Sequence, residues 1–397
     1  MRRPAARRSE PARRSIRCGR RPGRQRWPPS SLATCAAPAL RPPCPAPTPR
    51  GNTGGPTPSQ GTIRRSGGGV LCSGRMRGPV HIFTEHPEHA EQLARVVQAQ
   101  LARGDTPRAR ELVCIPDVAA LGRALPEVEV LFSPSPPKIS FAAAARLRLI
   151  QICGAGADHF LPLPDLPAAV EIAGMRGAMA DDVAEHACMM LLALTRELPS
   201  FLRAQRDRKL VQRPVPRLRG TRLAILGLGA IGRSIAARAR PFGVHVRGLR
   251  RAGTAGDLPI DVVGPAGLHE LLGWCDAVVI CLPRTRETEG FVDAAAIACL
   301  RDGAILVNVA RGGLVDEGAL LDRLRAGTLR AALDVFDEEP LVEDNPFYGI
   351  DGLIMTPHVA GYGTDYLERA AQLLLENVDR LDRGEPRRGL IDRELGY

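Results

Sequence analysis

The fold of this chain is decided by the stretch Leu223-Ala-Ile-Leu-Gly-Leu-Gly-Ala-Ile-Gly232. Its first four residues are apolar, as in a buried parallel strand, and its glycines then follow with GxGxxG spacing. The residues after it, 233–240, have the pattern of an amphipathic helix. A strand, a tight turn and a helix in this order present backbone N–H groups and the positive end of the helix dipole, which together attract a pyrophosphate. We therefore predict a dinucleotide-binding α/β unit here.

Each glycine of the turn has its own role in this interpretation. Gly227 allows the sharp turn, Gly229 leaves room for the phosphates to approach the backbone, and Gly232 lets the helix pack against the strand. The predicted dinucleotide contacts of the turn are Gly227, Gly229, Ala230, Ile231 and Gly232. Because glycine-rich turns with this spacing also arise by chance, the interpretation depends on the rest of the chain.

The end of the second predicted strand of this unit indicates which dinucleotide binds. NAD sites place a carboxylate about 20 residues after the glycine turn, where it bonds the ribose hydroxyls. This chain has Arg250 at that place and Arg251 next to it. A guanidinium can bind a 2′-phosphate through paired charge-assisted hydrogen bonds, whereas a carboxylate would repel it. We predict that NADP is preferred and NAD is possible; the alternative is that both arginines are ordinary surface residues.

The net charge of +11 comes from the first 75 residues. They contain sixteen arginines and one acidic residue, which is +15, so the other 322 residues carry −4. This segment is dense in Pro, Gly, Ser and Arg and has no apolar periodicity, so we expect residues 1–75 to be a disordered extension. Its charge is no argument for nucleic-acid binding by the folded part, and we expect no nucleic-acid partner.

Three explanations of residues 1–75 stay open. The segment could be a transit peptide, although its prolines disfavour an amphipathic helix, or it could be a basic nucleic-acid-binding arm. The third, which we favour, is that translation starts at Met76, directly before the first predicted strand. The chain has 52 arginines and two lysines, a bias that genome composition explains more simply than a binding site does.

No apolar run reaches the length of a membrane span, and no signal-peptide core is present. We therefore expect no membrane partner, and we also expect a cytoplasmic protein without a metal site. Six of the ten cysteines lie beyond residue 75, in apolar contexts without CxxC spacing, and we expect these to be reduced core residues. They are Cys114, Cys153, Cys188, Cys275, Cys281 and Cys299.

Residues 79–175 alternate between short apolar runs and helical patterns, which predicts a small parallel sheet in a domain of its own. The predicted strands are 80–83, 112–115, 128–132, 149–153 and 170–172, and the predicted helices are 88–102 and 141–147. After the fourth strand, residues 154–159 read Gly-Ala-Gly-Ala-Asp-His. This turn could be a nest of backbone N–H groups that holds a carboxylate, or a plain strand-to-helix turn.

A predicted helix over 177–194 separates this region from the dinucleotide unit, and we expect its His186 to be a packed or interface histidine. The unit continues with predicted strands at 277–282, 304–309, 331–336 and 353–355 and helices at 266–272, 293–300 and 317–326. The last helix, 365–381, comes too late to extend this sheet, so we expect it to pack back on the first domain.

Three polar residues follow three of these later strands: Arg311, Glu339 and His358. Because ligands of open parallel sheets bind beyond the carboxyl ends of the strands, these side chains are candidates for one site. They fit hydride transfer. A hydride delivered to a carbonyl carbon leaves an alkoxide that a histidine can protonate, a carboxylate can orient that histidine, and an arginine can clamp a carboxylate or carbonyl oxygen.

From Met76 onward, the chain resembles the D-isomer-specific 2-hydroxyacid dehydrogenases, the superfamily that includes glyoxylate/hydroxypyruvate reductases and phosphoglycerate dehydrogenases. Seven motifs carry the resemblance, in order along the chain. They are Gly154-Ala-Gly-Ala-Asp, Val183-Ala-Glu-His, Leu226-Gly-Leu-Gly-Ala-Ile-Gly, Leu282-Pro-Arg-Thr-Arg-Glu-Thr, Asn308-Val-Ala-Arg-Gly-Gly-Leu-Val-Asp, Leu333-Asp-Val-Phe with Glu339-Pro340, and Thr356-Pro-His-Val-Ala-Gly.

The resemblance implies a Rossmann dinucleotide-binding domain inserted in a flavodoxin-like substrate domain. Residues 76–175 and 362–397 would form the substrate domain, and residues 176–361 would form the Rossmann domain. It also implies an oxidoreductase that transfers a hydride between NAD(P)H and a small 2-oxo acid, such as glyoxylate or hydroxypyruvate, to give a D-2-hydroxy acid. Members of the family are usually homodimers paired through the cofactor domain.

The resemblance assigns the catalytic roles as well. Arg311 would bind and polarise the substrate, His358 would be the acid/base, and Glu339 would be the partner of the histidine. Backbone N–H groups around Ala155 and Gly156 would hold the substrate carboxylate.

Three further cofactor contacts are implied by the resemblance: Pro283 lining the nicotinamide, Asp334 binding its carboxamide, and Val309.

Two departures from the pattern of the family bear on function. Arg250 stands where an NAD-selecting acid is usual, as in NADPH-dependent members, and Glu339 stands where formate dehydrogenases have Gln. We also expect this chain to lack the regulatory domain of the long phosphoglycerate dehydrogenases.

A second hypothesis is a dinucleotide-sensing protein-binding module, like the C-terminal-binding-protein corepressors that resemble the same family. Such a module would expose an apolar peptide groove on its first domain, with catalysis incidental. Fold similarity alone does not separate the two, but oxidation of NADPH by 2-oxo acids does.

Overall fold

A computed structural model describes residues 78–85, 87–102, 111–134, 136–158, 161–251 and 258–397, all within one compact unit, Cys72–Tyr397. The predicted disordered extension, residues 1–75, and the predicted translation start at Met76 lie outside the described residues, as does His159 of the predicted 154–159 turn.

The first sheet consists of β1 (Val80–Phe83), β2 (Leu112–Ile115), β3 (Val130–Phe132), β4 (Leu149–Gln151) and β5 (Glu171–Ala173). The connections carry α1 (Pro87–Ala102) and α2 (Val118–Ala124). All neighbouring strands pair in parallel in the order β2-β1-β3-β4-β5, which is flavodoxin-like. The central strands β1 and β3 are buried at every residue, because layers on both faces of a parallel sheet require apolar side chains throughout.

The second sheet has seven parallel strands. They are β6 (Arg222–Leu226), β7 (His245–Leu249), β8 (Asp261–Val263), β9 (Ala277–Ile280), β10 (Ala304–Asn308), β11 (Leu329–Leu333) and β12 (Leu353–Met355). Their order is β12-β11-β10-β9-β6-β7-β8. This is the doubly wound Rossmann arrangement with one extra strand, and the direction of winding reverses between β6 and β9.

Helices cover both faces of the second sheet. On one face, α3 (Ala180–Thr195) and α5 (Ala230–Ala239) pack with side chains of β6 and β9 such as Leu223 and Val279. On the other face lie α6 (Leu268–Trp274), α7 (Ala294–Ala298) and α8 (Glu317–Arg325), against Leu226 and Ile280. Alternate residues of each strand therefore enter separate cores.

The last helix, α9 (Tyr366–Arg383), packs against the first sheet, as the sequence predicts. Its Ala370, Leu374 and Val378 join the core that contains Val80 and Ile82 of β1. The strands of the second sheet therefore lie, in sequence, between parts of the chain that belong with the first sheet. This confirms the predicted fold class of a Rossmann sheet inserted in a flavodoxin-like one, while the domain boundaries at 175, 176, 361 and 362 stay a prediction.

The prediction of a helix over 141–147 is wrong. The N–H of Ala144 bonds the carbonyl of Phe141, and the N–H of Leu147 bonds that of Ala144, so the segment is two successive turns. Phe141, Ala144 and Leu147 are all buried, and this three-residue apolar spacing imitates a helix face. Sequence reasoning also missed three elements: α2, β8 and α4 (Leu198–Arg206).

The cysteine prediction is partly wrong. All six described cysteines are free, and Cys153 and Cys275 are buried, but Cys114 is exposed. The reason is that Cys114 lies on β2, an edge strand, where an apolar run does not ensure burial on both faces. Within the described ranges, no helix combines the length and the apolar character that a membrane crossing requires.

Candidate active site

The glycine turn between β6 and α5 has the tight geometry that its sequence predicts. Gly227 has φ of +105°, in the region that favours glycine, and a Cβ there would stand 2.7 Å from the carbonyl oxygen of Cys281. A Cβ on Gly232 would stand only 1.9 Å from the carbonyl oxygen of Gly227, so the first turn of α5 lies against the strand end. Gly227 and Gly232 are therefore required by contacts within the protein.

Gly229 differs, because a Cβ at this position would have no other atom of the described part of the chain within 4 Å. The first intrahelical hydrogen bond of α5 runs from the N–H of Arg233 to the carbonyl of Gly229. The N–H groups of Ala230, Ile231 and Gly232 precede it and have no intrahelical acceptor. Open space at Gly229, next to N–H groups without intrahelical acceptors at a helix N-terminus, fits the pyrophosphate of a dinucleotide.

The other predicted cofactor contacts of the second sheet border the same crevice. Pro283 follows β9 and Val309 follows β10, so both lie beyond carboxyl ends of strands beside the reversal point. Cys281, between β9 and Pro283, donates its thiol hydrogen to the carbonyl of Gly227 at 2.9 Å, and burial raises its pKa to about 12. This thiol is therefore a protonated part of the wall of the turn.

Arg250 and Arg251 directly follow β7, on the side of the glycine turn where the adenosine ribose would lie. Both residues are exposed, and the backbone N–H of Arg250 bonds the carbonyl of Val263. The side chain of Arg251 donates from Nη1 to Oε2 of Glu287 at 3.2 Å. Glu287 lies in the loop after β9, so this ion pair bridges two strand ends at the rim of the crevice.

Arg311 follows β10 and extends toward the first sheet. Its Nε donates to Oδ1 of Asp158 at 3.2 Å, and its Nη1 donates to the carbonyl of Ala310 at 2.8 Å. Asn308, the last residue of β10, stabilises the turn by donating from Nδ2 to the carbonyl of Arg311 and accepting from the N–H of Ala310. The arginine is therefore held at both its backbone and its guanidinium.

The loop after β4 receives this guanidinium. A Cβ on Gly156 would stand 2.7 Å from Nη2 of Arg311, so a larger residue would displace the arginine. The N–H groups of Ala155 and Gly156 have no hydrogen-bond acceptor in the described part of the chain, whereas the N–H of Ala157 bonds the carbonyl of Gly396 at 3.2 Å. Two of three successive N–H groups therefore remain available beside a cation, as a carboxylate nest requires.

His358 and Glu339 form a direct pair. Nδ1 of His358 lies 2.8 Å from Oε2 of Glu339, and Oε1 of Glu339 accepts from the N–H of Phe336. The carboxylate is thus fixed by the backbone after β11, and the Nε2 side of the imidazole is directed away from it. The side chain of His358 is 44% exposed, which a group that meets a substrate requires.

Asp334 connects the ends of three neighbouring strands. Its N–H bonds the carbonyl of Asn308 on β10, and its carbonyl accepts from the N–H of His358 after β12. Its carboxylate is only 1% exposed and accepts from the hydroxyl of Thr356 and the N–H groups of Val359 and Ala360. Asp334 therefore holds the loop that carries the histidine; its predicted contact with the nicotinamide carboxamide stays a prediction.

His186 of α3 joins this network as a packed histidine. Its Nε2 lies 3.0 Å from the hydroxyl of Thr356 and 3.6 Å from Oδ1 of Asp334. In the described part of the chain, no group of three or more His, Cys, Asp or Glu side chains is arranged to hold a metal ion.

Residues 188–360 match the family described as D-isomer specific 2-hydroxyacid dehydrogenase, NAD binding domain. A hydroxypyruvate reductase of Thermotoga maritima is 30% identical over 266 residues, which is 65% of this chain and 86% of that protein. The chain belongs to the D-isomer-specific 2-hydroxyacid dehydrogenase family. A D-3-phosphoglycerate dehydrogenase of Archaeoglobus fulgidus is 29% identical over 286 residues, 68% of this chain. The chain spans about half the length of that relative, 52%.

A solved structure of a family member supports the fold as well. The D-isomer specific 2-hydroxyacid dehydrogenase of Xanthobacter autotrophicus Py2, in complex with NADPH and MES, superposes with a TM-score of 0.71 at 30% identity. The match covers 81% of this chain and 99% of the Xanthobacter chain. The resemblance carried by the seven sequence motifs is therefore confirmed at the level of the family and the fold.

Sequence reasoning missed four residues that shape this candidate site: Asn308, Asp158, Thr356 and Glu287. Each lies within a motif that carries the family resemblance or next to its quoted residues, so motif membership was the available signal. The motifs do not show which side chains contact each other. Asp158 and Arg311, for example, are 153 residues apart and follow strands of different sheets.

Proposed function

We propose that this chain is a reductase of small 2-oxo acids, such as glyoxylate or hydroxypyruvate, that uses NADPH and forms the D-2-hydroxy acid. The observation that carries the proposal is the hydrogen bond between Nδ1 of His358 and Glu339. This pair lies at the same carboxyl-terminal edge of the second sheet as Arg311 and the glycine turn. A histidine oriented by a carboxylate, at the same edge of the sheet as a partly buried arginine, suits carbonyl reduction.

In this proposal the bound dinucleotide supplies the hydride. Arg311 and the N–H groups of Ala155 and Gly156 hold the substrate carboxylate, because they combine a cation with two available donors. His358 gives the proton from Nε2 to the oxygen of the reduced carbonyl. Glu339 keeps the ring in the required orientation and stabilises the protonated imidazole.

The proposal is tested by a substrate panel with the purified full chain. Oxidation of NADPH at 340 nm is measured with glyoxylate, hydroxypyruvate and bulkier 2-oxo acids, and the chirality of each product is determined. We expect turnover of at least one acid with a D-configured product. Binding of NADPH without turnover of any acid would contradict the proposal and favour a dinucleotide-sensing binding module.

We further propose that Arg250 and Arg251 select NADPH over NADH by binding the 2′-phosphate. The support is their exposure directly after β7, with Arg250 at the position where NAD sites have a carboxylate. Replacing both by Ser should raise the KM for NADPH about tenfold or more, since a charged hydrogen bond contributes about 1.5–3 kcal/mol, and should leave the KM for NADH nearly unchanged.

Arg146→Ser is the matched control for the two arginines. Arg146 is exposed and pairs with Glu127 beside the first sheet, so the variant changes the net charge in the same direction away from the crevice. Equal effects of the double variant on NADPH and NADH would contradict the selection of the 2′-phosphate.

A homodimer and a cytoplasmic location complete the proposal. The support for the dimer is α4 and the segment after it, where Leu198, Leu202 and Val211 are 46%, 45% and 44% exposed and no side chain of α4 is buried. Light scattering should give twice the mass of the chain, and Leu202→Asp should shift the measured mass toward that of the monomer.

The support for the cytoplasmic location is the six free thiols of the described residues, because a reducing compartment maintains free thiols.

A further inference from the structure

We infer that Asp158 is a positioning residue: by accepting from Nε it holds the guanidinium of Arg311 so that Nη2 is left for the substrate carboxylate. The inference rests on the proposed function of the same site. It begins with an unequal use of the three guanidinium nitrogens, because Nε bonds Asp158 and Nη1 bonds the carbonyl of Ala310. Nη2 has no acceptor among the described residues and lies over Gly156.

The partial burial of the Arg311–Asp158 pair strengthens their electrostatic attraction. The side chains of Arg311 and Asp158 are 26% and 19% exposed, so water screens their attraction less than at an open surface. An unrestrained arginine side chain loses rotamer entropy when it is ordered, and a preformed contact removes that loss from substrate binding. Asp158 therefore orders Arg311 before the substrate arrives.

The location of Asp158 fixes the direction in which Nη2 points. Asp158 lies two residues after Gly156, and its Oδ1 would stand 3.0 Å from a Cβ at Gly156. Nε is consequently drawn toward the end of the loop, while Nη2 stays beside the available N–H groups of Ala155 and Gly156. A carboxylate placed there meets one charged donor and two backbone donors.

The sign of the change in KM separates positioning from simple electrostatics. Asp158 is an anion close to the place of an anionic substrate, so a purely electrostatic role predicts that removing its charge lowers the KM for the 2-oxo acid. A positioning role predicts the opposite. We expect Asp158→Ala to raise this KM about tenfold or more, Asp158→Asn, which keeps an acceptor, to raise it less, and both to leave the KM for NADPH unchanged.

Asp165→Asn is the matched control. Asp165 lies further along the same connection, accepts from the hydroxyl of Ser140, and has no described contact with Arg311. This variant removes the same charge and should leave the KM for the 2-oxo acid unchanged. A lowered or unchanged KM in Asp158→Ala, or an equal rise in Asp165→Asn, would overturn the inference.

A double-variant cycle and a binding measurement complete the test. In an Arg311→Lys background the guanidinium is absent, so Asp158→Ala should have little further effect. Oxalate, a dianion of the substrate's size, should raise the Tm of the wild type more than that of Asp158→Ala or Asp158→Asn. If the wild type binds oxalate in this way but reduces no 2-oxo acid, the proposed function fails while the positioning role stands; equal shifts in all three proteins overturn the positioning role.

Discussion

At the scale of single residues, the site depends on groups that are held in place by backbone contacts. His358 has φ of +53°, in the left-handed region that non-glycine residues rarely adopt. The N–H groups of residues 358–360 all bond Asp334, through its carbonyl or its carboxylate, and this compensates for the unfavourable conformation. The imidazole is thereby directed to Glu339.

His358→Gln tests the chemical role at this scale. Glutamine can still bond Glu339 but cannot carry the proton, so turnover should fall by about 10²–10⁴-fold while the Kd for NADPH stays unchanged. Steady-state rates and fluorescence titration with NADPH measure the two quantities. His269→Gln, a change of an exposed histidine on α6, is the control and should retain full activity. Turnover that survives in His358→Gln would remove the histidine from the mechanism.

At the scale of elements, α9 shows how a helix distant in sequence is fixed on a sheet. Its side chains Ala370, Leu374 and Val378 supply the apolar contact, and Asn377 adds a buried polar one. Nδ2 of Asn377 donates to Oε1 of Gln151 on β4 and to the carbonyl of Arg388, while its Oδ1 accepts from the N–H of Arg388. The helix thus secures both β4, the strand before the loop that contains Gly156, and the chain that follows α9.

Asn377→Ala should destabilise the protein by about 1–3 kcal/mol, because it leaves buried polar partners without hydrogen bonds. Urea unfolding followed by circular dichroism measures the free energy of unfolding. Gln372→Ala, at an exposed position of the same helix, should change stability by less than about 0.5 kcal/mol. A similar small effect of Asn377→Ala would show that apolar packing alone holds α9.

At the scale of the whole molecule, the free energy of unfolding depends on pH through buried groups. Burial lowers the pKa of His81 from its ordinary value of 6.5, although Glu111 opposes this shift. The side chain is 6% exposed, and its Nδ1 has no partner in the described part of the chain. On acidification the unfolded chain therefore takes up a proton at this group more readily than the folded protein does, and stability falls.

We expect His81→Leu to reduce this loss. Between about pH 7.5 and pH 5.5 the wild type should lose more stability than the variant, because His81 takes up its proton at a higher pH in the unfolded chain than in the fold, and the variant lacks this group. The difference in free energy of unfolding between the two proteins, measured in urea at both pH values, is the readout. An identical pH dependence would assign the acid sensitivity to other groups.

The amino-acid sequence alone determined most of the strands and helices in their order along the chain, the α/β class and the glycine turn of this protein. These features depend on local rules: apolar runs form buried strands, and Gly227 and Gly232 stand where a Cβ would collide with backbone. The same rules misassigned 141–147, since apolar residues three apart suit successive turns as well as a helix.

Only the tertiary structure decided which side chains meet. The contact of Arg311 with Asp158, the shared capping of the His358 loop by Asp334 and the ion pair of Arg251 with Glu287 join segments from different strands. No local pattern encodes such pairs, because they arise from the order of strands in each sheet and the packing of the two sheets. Sequence set the chemistry available at each strand end, and packing determined the partner of each group.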